Sequence, residues 1–277
     1  MADLIAERYE LLGVLGRGVL GEVVKVRDLQ SGEIRAMKLF KPQSVSSSAM
    51  GRFEREFRAI GKLSHPNIVV VHDFGLDGAR PYFTMELLEG SDLRRYVQEQ
   101  RPAEGAPGYD DYLRRIAYVF HQVADALATV HGAGLVHRDI KPENLFVKSG
   151  RFPRAKLLDF GHAKEDGGQN LTMTGTVLGT AWYIPPEQAM GRPVGPGADL
   201  YSLGCVLYEA LLGKPPFPGT TVMDMIMAHI QRDPPCASKA DPRIPEPVSE
   251  LIRGLMKKTP EERPASASAV MEILAGY

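Results

Sequence analysis

The sequence predicts an α+β protein of two lobes, a small strand-rich lobe over roughly residues 1–88 and a larger, mainly helical lobe over roughly 89–277. Three observations carry this reading. Short β-type runs are confined to the first ~90 residues, apolar residues recur at helical spacing after Gly90, and turn or breaker residues separate the segments. With 277 residues, 44% of them hydrophobic, the chain can bury one large core or two smaller ones.

The strand-type runs are Leu11–Leu15, Val23–Arg27, Ile34–Phe40, Val69–Phe74 and Tyr82–Met85, set apart by turn residues such as Gly32, Asp77 and Gly78. One helix interrupts them, from about Met50 to Leu63. Arg101–Gly108, rich in Pro, Gly and Ala, is a loop. Leu113, Ile116, Ala117, Phe120, Val123, Ala124, Leu127 and Val130 form a helical stripe from which Arg114, Arg115, Gln122 and Asp125 fall away. A second buried helix runs from about Asp199 to Leu212 and ends before Pro215, Pro216, Phe217 and Pro218. Glu165–Gly179 has four glycines and no hydrophobic period, which makes it a long functional loop. A cleft between the lobes is the expected ligand site.

A net charge of −1 carries no mark of a nucleic-acid partner or of a surface held to acidic lipid. The two cysteines, Cys205 and Cys236, make neither a disulfide framework nor a metal cluster, which suits a reducing compartment. Cys205 lies in an apolar helical run and is expected to pack in a core. Met1–Glu10 does not read as a secretory signal, and Leu200–Leu212, which carries Glu209, is too short to span a bilayer. The domain is therefore expected to be cytoplasmic, with no membrane contact from these residues.

Gly16, Gly18 and Gly21 match G-x-G-x-x-G, a pattern shared by dinucleotide-binding turns, phosphate-covering loops and ordinary hairpins. A dinucleotide fold needs a helix after the third glycine. Glu22–Val26 reads instead as a strand, and a strand–loop–strand lets backbone N–H groups close over phosphates that any Cβ would hold off. Lys38 shares a strand face with Ile34, Ala36 and Phe40, where an unpaired ammonium is costly. Glu56 sits in the apolar stripe of Phe53, Phe57 and Ile60 on the following helix. Each anomaly resolves the other: a Lys38–Glu56 ion pair would hold the ammonium for the α- and β-phosphates of a nucleotide.

The string His137-Arg138-Asp139-Ile140-Lys141-Pro142-Glu143-Asn144 is far more specific, with Leu158-Asp159-Phe160-Gly161 following. Phosphoryl transfer needs alignment, neutralised phosphate charge and a destination for the hydroxyl proton. Asp139 can orient the acceptor hydroxyl and take its proton, and Lys141 can offset charge on the moving group. Asn144 and Asp159 offer hard oxygen ligands for Mg²⁺, which takes few protein ligands beside phosphate oxygens.

With these motifs the chain resembles the protein kinase superfamily from about Tyr9 to Leu274, and looks most like bacterial serine/threonine kinases of eukaryotic type. The resemblance implies a two-lobed kinase fold, with a small antiparallel sheet lobe carrying one main helix beside a larger helical lobe. It implies ATP and Mg²⁺ as cofactors and a protein Ser/Thr hydroxyl as acceptor. Ile184-Pro185-Pro186-Glu187 resembles the motif closing the activation segment, with Pro185 replacing the usual alanine. Asp199 resembles the acid that anchors the central helix, and Arg263 the buried partner of Glu187. By the same resemblance Glu86 and Leu88 offer backbone groups to adenine, Met85 backs its pocket, Val23, Ala36 and Phe146 sandwich it, and Asp92 reaches the ribose.

Lys141, two residues after Asp139, resembles the serine/threonine group, as does Gly179-Thr180. Thr180 would contact Asp139 and Lys141 and position the acceptor. Arg138 would dock a phosphorylated loop residue, Thr174 first, then Thr172, with Thr176 in reach. A transient homodimer would allow trans-autophosphorylation. Glu143 would face the peptide and favour basic residues before the acceptor. Leu20 replaces the usual aromatic or methionine at the glycine-loop tip, which bears on turnover. Among rivals, a pseudokinase acting as a nucleotide-binding scaffold would normally lack one of Lys38, Asp139, Asn144 or Asp159, and all four are present. A small-molecule phosphotransferase leaves Glu187, Asp199 and Arg263 unexplained.

Overall fold

The computed structural model describes residues 4–18, 21–41, 57, 61–103, 105–159 and 181–277. They fall into two compact units, one running to Ser64 and resuming over Ile68–Glu89, the other comprising His65–Asn67 and the chain from Gly90.

The first unit is built on one antiparallel sheet. Its strands are β1 (Leu4–Ile5), β2 (Tyr9–Arg17), β3 (Gly21–Asp28), β4 (Ile34–Phe40), β5 (Val71–Asp77) and β6 (Arg80–Glu86), ordered β1-β2-β3-β4-β6-β5. β4 keeps the bounds predicted from sequence. The run predicted at Val69–Phe74 pairs over Val71–Asp77 instead, with a bulge between Val71 and Asp73, because partners on β6 decide where the ladder starts. Gly32 and Gly78, with φ of 77° and 59°, close the β3–β4 and β5–β6 turns in the left-handed region that glycine enters freely.

Register assigns every side chain to a face, since opposed residues and alternate residues share one. Val24, Met37, Leu39 and Tyr82 fall on one face, where they form a buried cluster with Ile5, Tyr9 and Val26. Val23, Ala36, Lys38, Phe40, Phe83 and Met85 fall on the other. A Cβ on Gly21 would lie 1.9 Å from the Leu39 carbonyl oxygen, so the β3–β4 pairing itself demands glycine there.

Of the predicted helix near 50–63, Phe57 and 61–63 are described. Gly61 N donates to Phe57 O at 2.8 Å, a helical i→i−4 bond. The Phe57 ring packs 5.3 Å from Phe74 and 5.9 Å from Phe83, which lies on the Lys38 face. Phe53, Glu56 and Ile60 lie outside the described residues. At the foot of the sheet, Arg8 forks onto the fully buried Asp28 at 2.8 Å through two nitrogens and reaches Asp73 at 2.6 Å. This clamp holds the Asp28 carboxyl well below the usual carboxylate range.

The second unit carries a small sheet, β7 (Ser91–Asp92), β8 (Leu145–Lys148) and β9 (Arg154–Leu157), in that order. Its helices are α1 (Leu93–Gln100), α2 (Tyr109–Gly132), α3 (Pro186–Ala189), α4 (Pro196–Leu212), α5 (Val222–Gln231), α6 (Ala237–Ala240), α7 (Glu246–Leu255) and α8 (Ala267–Leu274). The predicted stripe of α2 is buried throughout. α4 is buried on nearly every side, which is why its sequence shows an apolar run rather than a stripe. It starts three residues before the expected Asp199, because Pro196 fits the first helical position with Gly195 as cap. Cys205 is fully buried within it, as its apolar context predicts. No helix among the described residues is long and apolar enough to cross a membrane.

Candidate active site

The site residues of the first unit are gathered by strand register. Lys38 pairs with Val23 on one side and Phe83 on the other, and Ala36 pairs with Met85. The Lys38 Nζ stands 5.4 Å from the Phe40 ring centre and 6.0 Å from that of Phe83, so aromatic faces support the ammonium on its apolar face. Gly16 and Gly18 cap the β2–β3 hairpin, and Gly18 N donates to Gly21 O at 2.7 Å. A Cβ at Gly16 would meet no atom within 4 Å, and one at Gly18 only Gly21 O at 3.7 Å, so packing explains the third glycine but not the first two. Glu86 is tied to Val70 twice, its N–H donating to the Val70 carbonyl at 2.9 Å and its Oε1 accepting from the Val70 N–H at 2.8 Å. Leu88 follows on the connection leaving β6.

In the second unit the β8–β9 hairpin does the gathering. Leu145 pairs with Leu157, and one step outward Leu158 N donates to Asn144 O at 2.8 Å. The register therefore brings Asn144 beside Leu158, with Asp159 next in the chain. Asn144 is buried, and its Nδ2 donates to the Asp139 carbonyl at 2.7 Å and to Asp139 Oδ2 at 2.9 Å. Both amide protons being committed to Asp139, the network orients the amide and leaves Oδ1 as the atom not held by Asp139. Lys141 Nζ lies 2.8 Å from the same Asp139 Oδ2. Asp159 holds a left-handed φ of 40°, a conformation that costs energy for a non-glycine residue and that local structure must enforce. Phe146 pairs with Asp92 across β7 and β8. Asp92 also caps α1, its Oδ1 accepting from Arg95 N at 2.9 Å, a role that the sequence reading did not assign.

Histidines fix this loop. The fully buried His137 places Nε2 2.7 Å from the Leu158 carbonyl, which that nitrogen must meet as a donor. Its Nδ1 then accepts the Asp139 N–H at 3.3 Å. Asp199 Oδ2 and Oδ1 accept the His137 and Arg138 N–H groups, both at 2.8 Å, and His131 Nε2 lies 2.8 Å from Oδ2. Arg138 adopts φ 66° under this clamp. Asp199, in the first turn of α4, thus anchors the loop. Arg263 meets Glu187 with two bonds, at 2.6 and 2.8 Å, and donates to the carbonyls of Gly197, Lys257 and Lys258.

Glu143 departs from expectation. Arg94 Nε and Nη2 donate to its Oε1 at 3.1 and 3.0 Å, so its carboxylate already holds an internal guanidinium rather than waiting for a peptide's base. No local signal foretells this contact, since 49 residues separate the pair. Glu56, Phe160, Thr172, Thr174, Thr176 and Thr180 lie outside the described residues. The donor set fits Mg²⁺: an amide oxygen and a carboxylate brought together by one hairpin, both hard ligands. No group of three or more His, Cys, Asp or Glu side chains suited to a metal occurs among the described residues, and Mg²⁺ completed by phosphate oxygens needs none.

Residues 9–274 match the protein kinase domain family. Serine/threonine-protein kinase PknD of Mycobacterium tuberculosis is 37% identical over 261 residues, covering 94% of this chain and 38% of its own. Serine/threonine-protein kinase pkn3 of Myxococcus xanthus is 35% identical over 276 residues, covering 96% of this chain and 49% of its own. The DNA damage-responsive serine/threonine-protein kinase RqkA of Deinococcus radiodurans is 36% identical over 275 residues, covering 98% and 40%. The chain thus spans half or less of these relatives' length. The crystal structure of the Mycobacterium tuberculosis PknI kinase domain superposes with a TM-score of 0.78 at 25% identity, covering 99% of this chain and 98% of that one, which shows the α+β kinase fold. This chain is a member of the protein kinase domain family, of the eukaryotic type found among bacterial serine/threonine kinases.

Proposed function

We propose that this domain transfers the γ-phosphoryl group of ATP to serine and threonine hydroxyls of proteins, its own activation loop among them. The observation that carries this is the commitment of Asn144's amide protons and of Lys141 to Asp139. It fixes a carboxylate for the acceptor hydroxyl next to an amide oxygen for a metal.

Bound Mg²⁺ would neutralise phosphate charge and orient the triphosphate, held by Asn144 Oδ1 and Asp159. Asp139 orients the acceptor hydroxyl and takes its proton as the O–P bond forms. Lys141 lies against Asp139 and offsets charge on the transferred group. Lys38, in the ion pair expected with Glu56, would bind the α- and β-phosphates. Gly16 and Gly18, where packing requires no glycine, would let backbone N–H groups close over phosphate. Val23, Ala36 and Phe146 would flank adenine, with Met85 behind it and the Glu86 and Leu88 backbones at its edge. Asp92, one oxygen of which caps α1, would offer the other to the ribose.

Thr174, Thr172 and Thr176 are proposed as autophosphorylation sites, modified within a transient homodimer and docked on Arg138, and Thr180 as the residue positioning the acceptor. Incubation with γ-labelled ATP and Mg²⁺, followed by phosphoamino-acid analysis, tests the reading. Label on serine and threonine is expected, and it should disappear in Asp159→Asn. Equal labelling of both proteins would refute the assigned chemistry.

A further inference from the structure

We propose that Arg94 sets substrate specificity by occupying, as an internal guanidinium, the acidic position beside Asp139 that an arginine of a substrate would otherwise fill. The inference rests on the kinase reading above.

One planar fork holds three side chains at once. Arg94 Nε and Nη2 donate to Glu143 Oε1 at 3.1 and 3.0 Å, Nη1 donates to Glu209 Oε1 at 2.8 Å, and Nη2 donates to the Tyr183 hydroxyl at 2.8 Å. The Tyr183 hydroxyl in turn donates to Glu209 Oε2 at 2.5 Å, closing the ring of contacts. The partners come from the turn after Asp139, the segment before α3, and α4. A lysine could not serve, because a single ammonium does not span such a fork.

On the kinase reading, a peptide whose hydroxyl meets Asp139 has this network beside it. Glu143 adjoins Asn144 and follows Asp139 by four residues, and Tyr183 follows Thr180 by three. Arg94, Pro142, Val206 and Glu209 also line a cavity of about 250 Å³, together with Arg101. The Arg94 and Glu143 side chains remain 39% and 45% exposed, so this is a surface that a substrate can reach. A peptide offering its hydroxyl to Asp139 lays its neighbouring residues here.

Charge decides what such a residue gains. Without Arg94, Glu143 and Glu209 would be two carboxylates converging on one place, and a substrate guanidinium would be drawn to them. With Arg94 present, both acids have their donors, and Arg101 adds a second cation to the cavity wall. A basic substrate residue would have to displace a competitor tethered in place, whose effective concentration no free peptide matches. The wild-type subsite therefore accepts a neutral residue as readily as a basic one.

The test is kcat/KM on serine peptides that differ only by Arg or Ala at each position before the acceptor. In the wild type the Arg-to-Ala ratio should stay within about threefold everywhere, as for a screened surface charge. In Arg94→Ala it should rise by about tenfold at one position, the ratio that a charge-assisted hydrogen-bonded pair supplies. Adding Glu143→Gln should remove the gain. A merely structural role would slow both peptides equally and leave the ratio alone. Arg94→Gln, which keeps neutral donors toward Tyr183 and Glu143, should show the same shift and serves if the alanine variant does not fold. A wild type that already favours arginine tenfold overturns the proposal, as do variants with wild-type ratios. If no peptide accepts phosphate in an Asp159-dependent way, the kinase reading falls and this inference with it. Transfer that proceeds with unmoved ratios removes the inference alone.

Discussion

Asn144 gives both of its amide protons to Asp139, one to the backbone carbonyl at 2.7 Å and one to Oδ2 at 2.9 Å. A single side chain thereby holds the carboxylate proposed as proton acceptor, and its remaining oxygen is the one proposed as a metal ligand. Asn144→Ala removes both contributions and should lower transfer by about a hundredfold or more, the usual loss when a positioned polar group leaves an active site. Asn144→Asp keeps an oxygen ligand but sets a second carboxylate against Asp139, and should also fall at least tenfold. Steady-state transfer rates, read beside melting temperatures, separate this from unfolding.

Glu187 and Arg263, 76 residues apart, form an ion pair in which the arginine side chain is fully buried and the glutamate nearly so. The guanidinium is further satisfied by three backbone carbonyls. Arg263→Ala would strand a buried carboxylate and should destabilise the fold by about 3–5 kcal/mol. Arg263→Lys should recover little of that, because an ammonium cannot reach both Glu187 oxygens and the carbonyls together. Urea denaturation measures both, and a loss under 1 kcal/mol for the alanine variant would rule out this role.

His229 is fully buried, with Nδ1 2.9 Å from the Tyr201 hydroxyl and Nε2 3.1 Å from the Trp182 carbonyl. Burial, aided by the nearby Lys258 ammonium, holds its pKa down to about 3. Unfolding restores the ordinary value near 6.5, so the unfolded chain binds the extra proton first. Stability should therefore fall as pH drops from about 6.5 toward 3, with a slope of about 1.4 kcal/mol per pH unit from this group. His229→Gln should flatten the acid limb by one proton. Urea titrations between these pH values would show the slope unchanged if the histidine titrates normally in the folded state.

Much of this site was legible because short strings carry it. Lys38 stands out as a charge on an apolar strand face, and Asp139 and Asn144 fall in one turn that leads into the β8–β9 hairpin, whereas Glu56, read on the same ground, lies outside the described residues. The strand Ile34–Phe40 could be read to the residue from composition alone. Pairings between distant segments were not legible. Arg94 and Glu143 each look like a solvated surface charge, and nothing in either neighbourhood reveals that they meet. His131, His137 and His229 likewise gain their roles from carbonyls and carboxylates that folding supplies. Asp92 carries a local signal as a cap, an acid directly before a helix.

The domain's Asp139 is the group on which the proposed chemistry turns, and single-turnover transfer by Asp139→Asn from saturating Mg-ATP to a serine peptide tests it most directly. The rate should fall by about 10²–10⁴, as when a general base is lost, while ATP affinity changes by no more than about threefold. A variant that transfers phosphate at the wild-type rate would contradict the assignment.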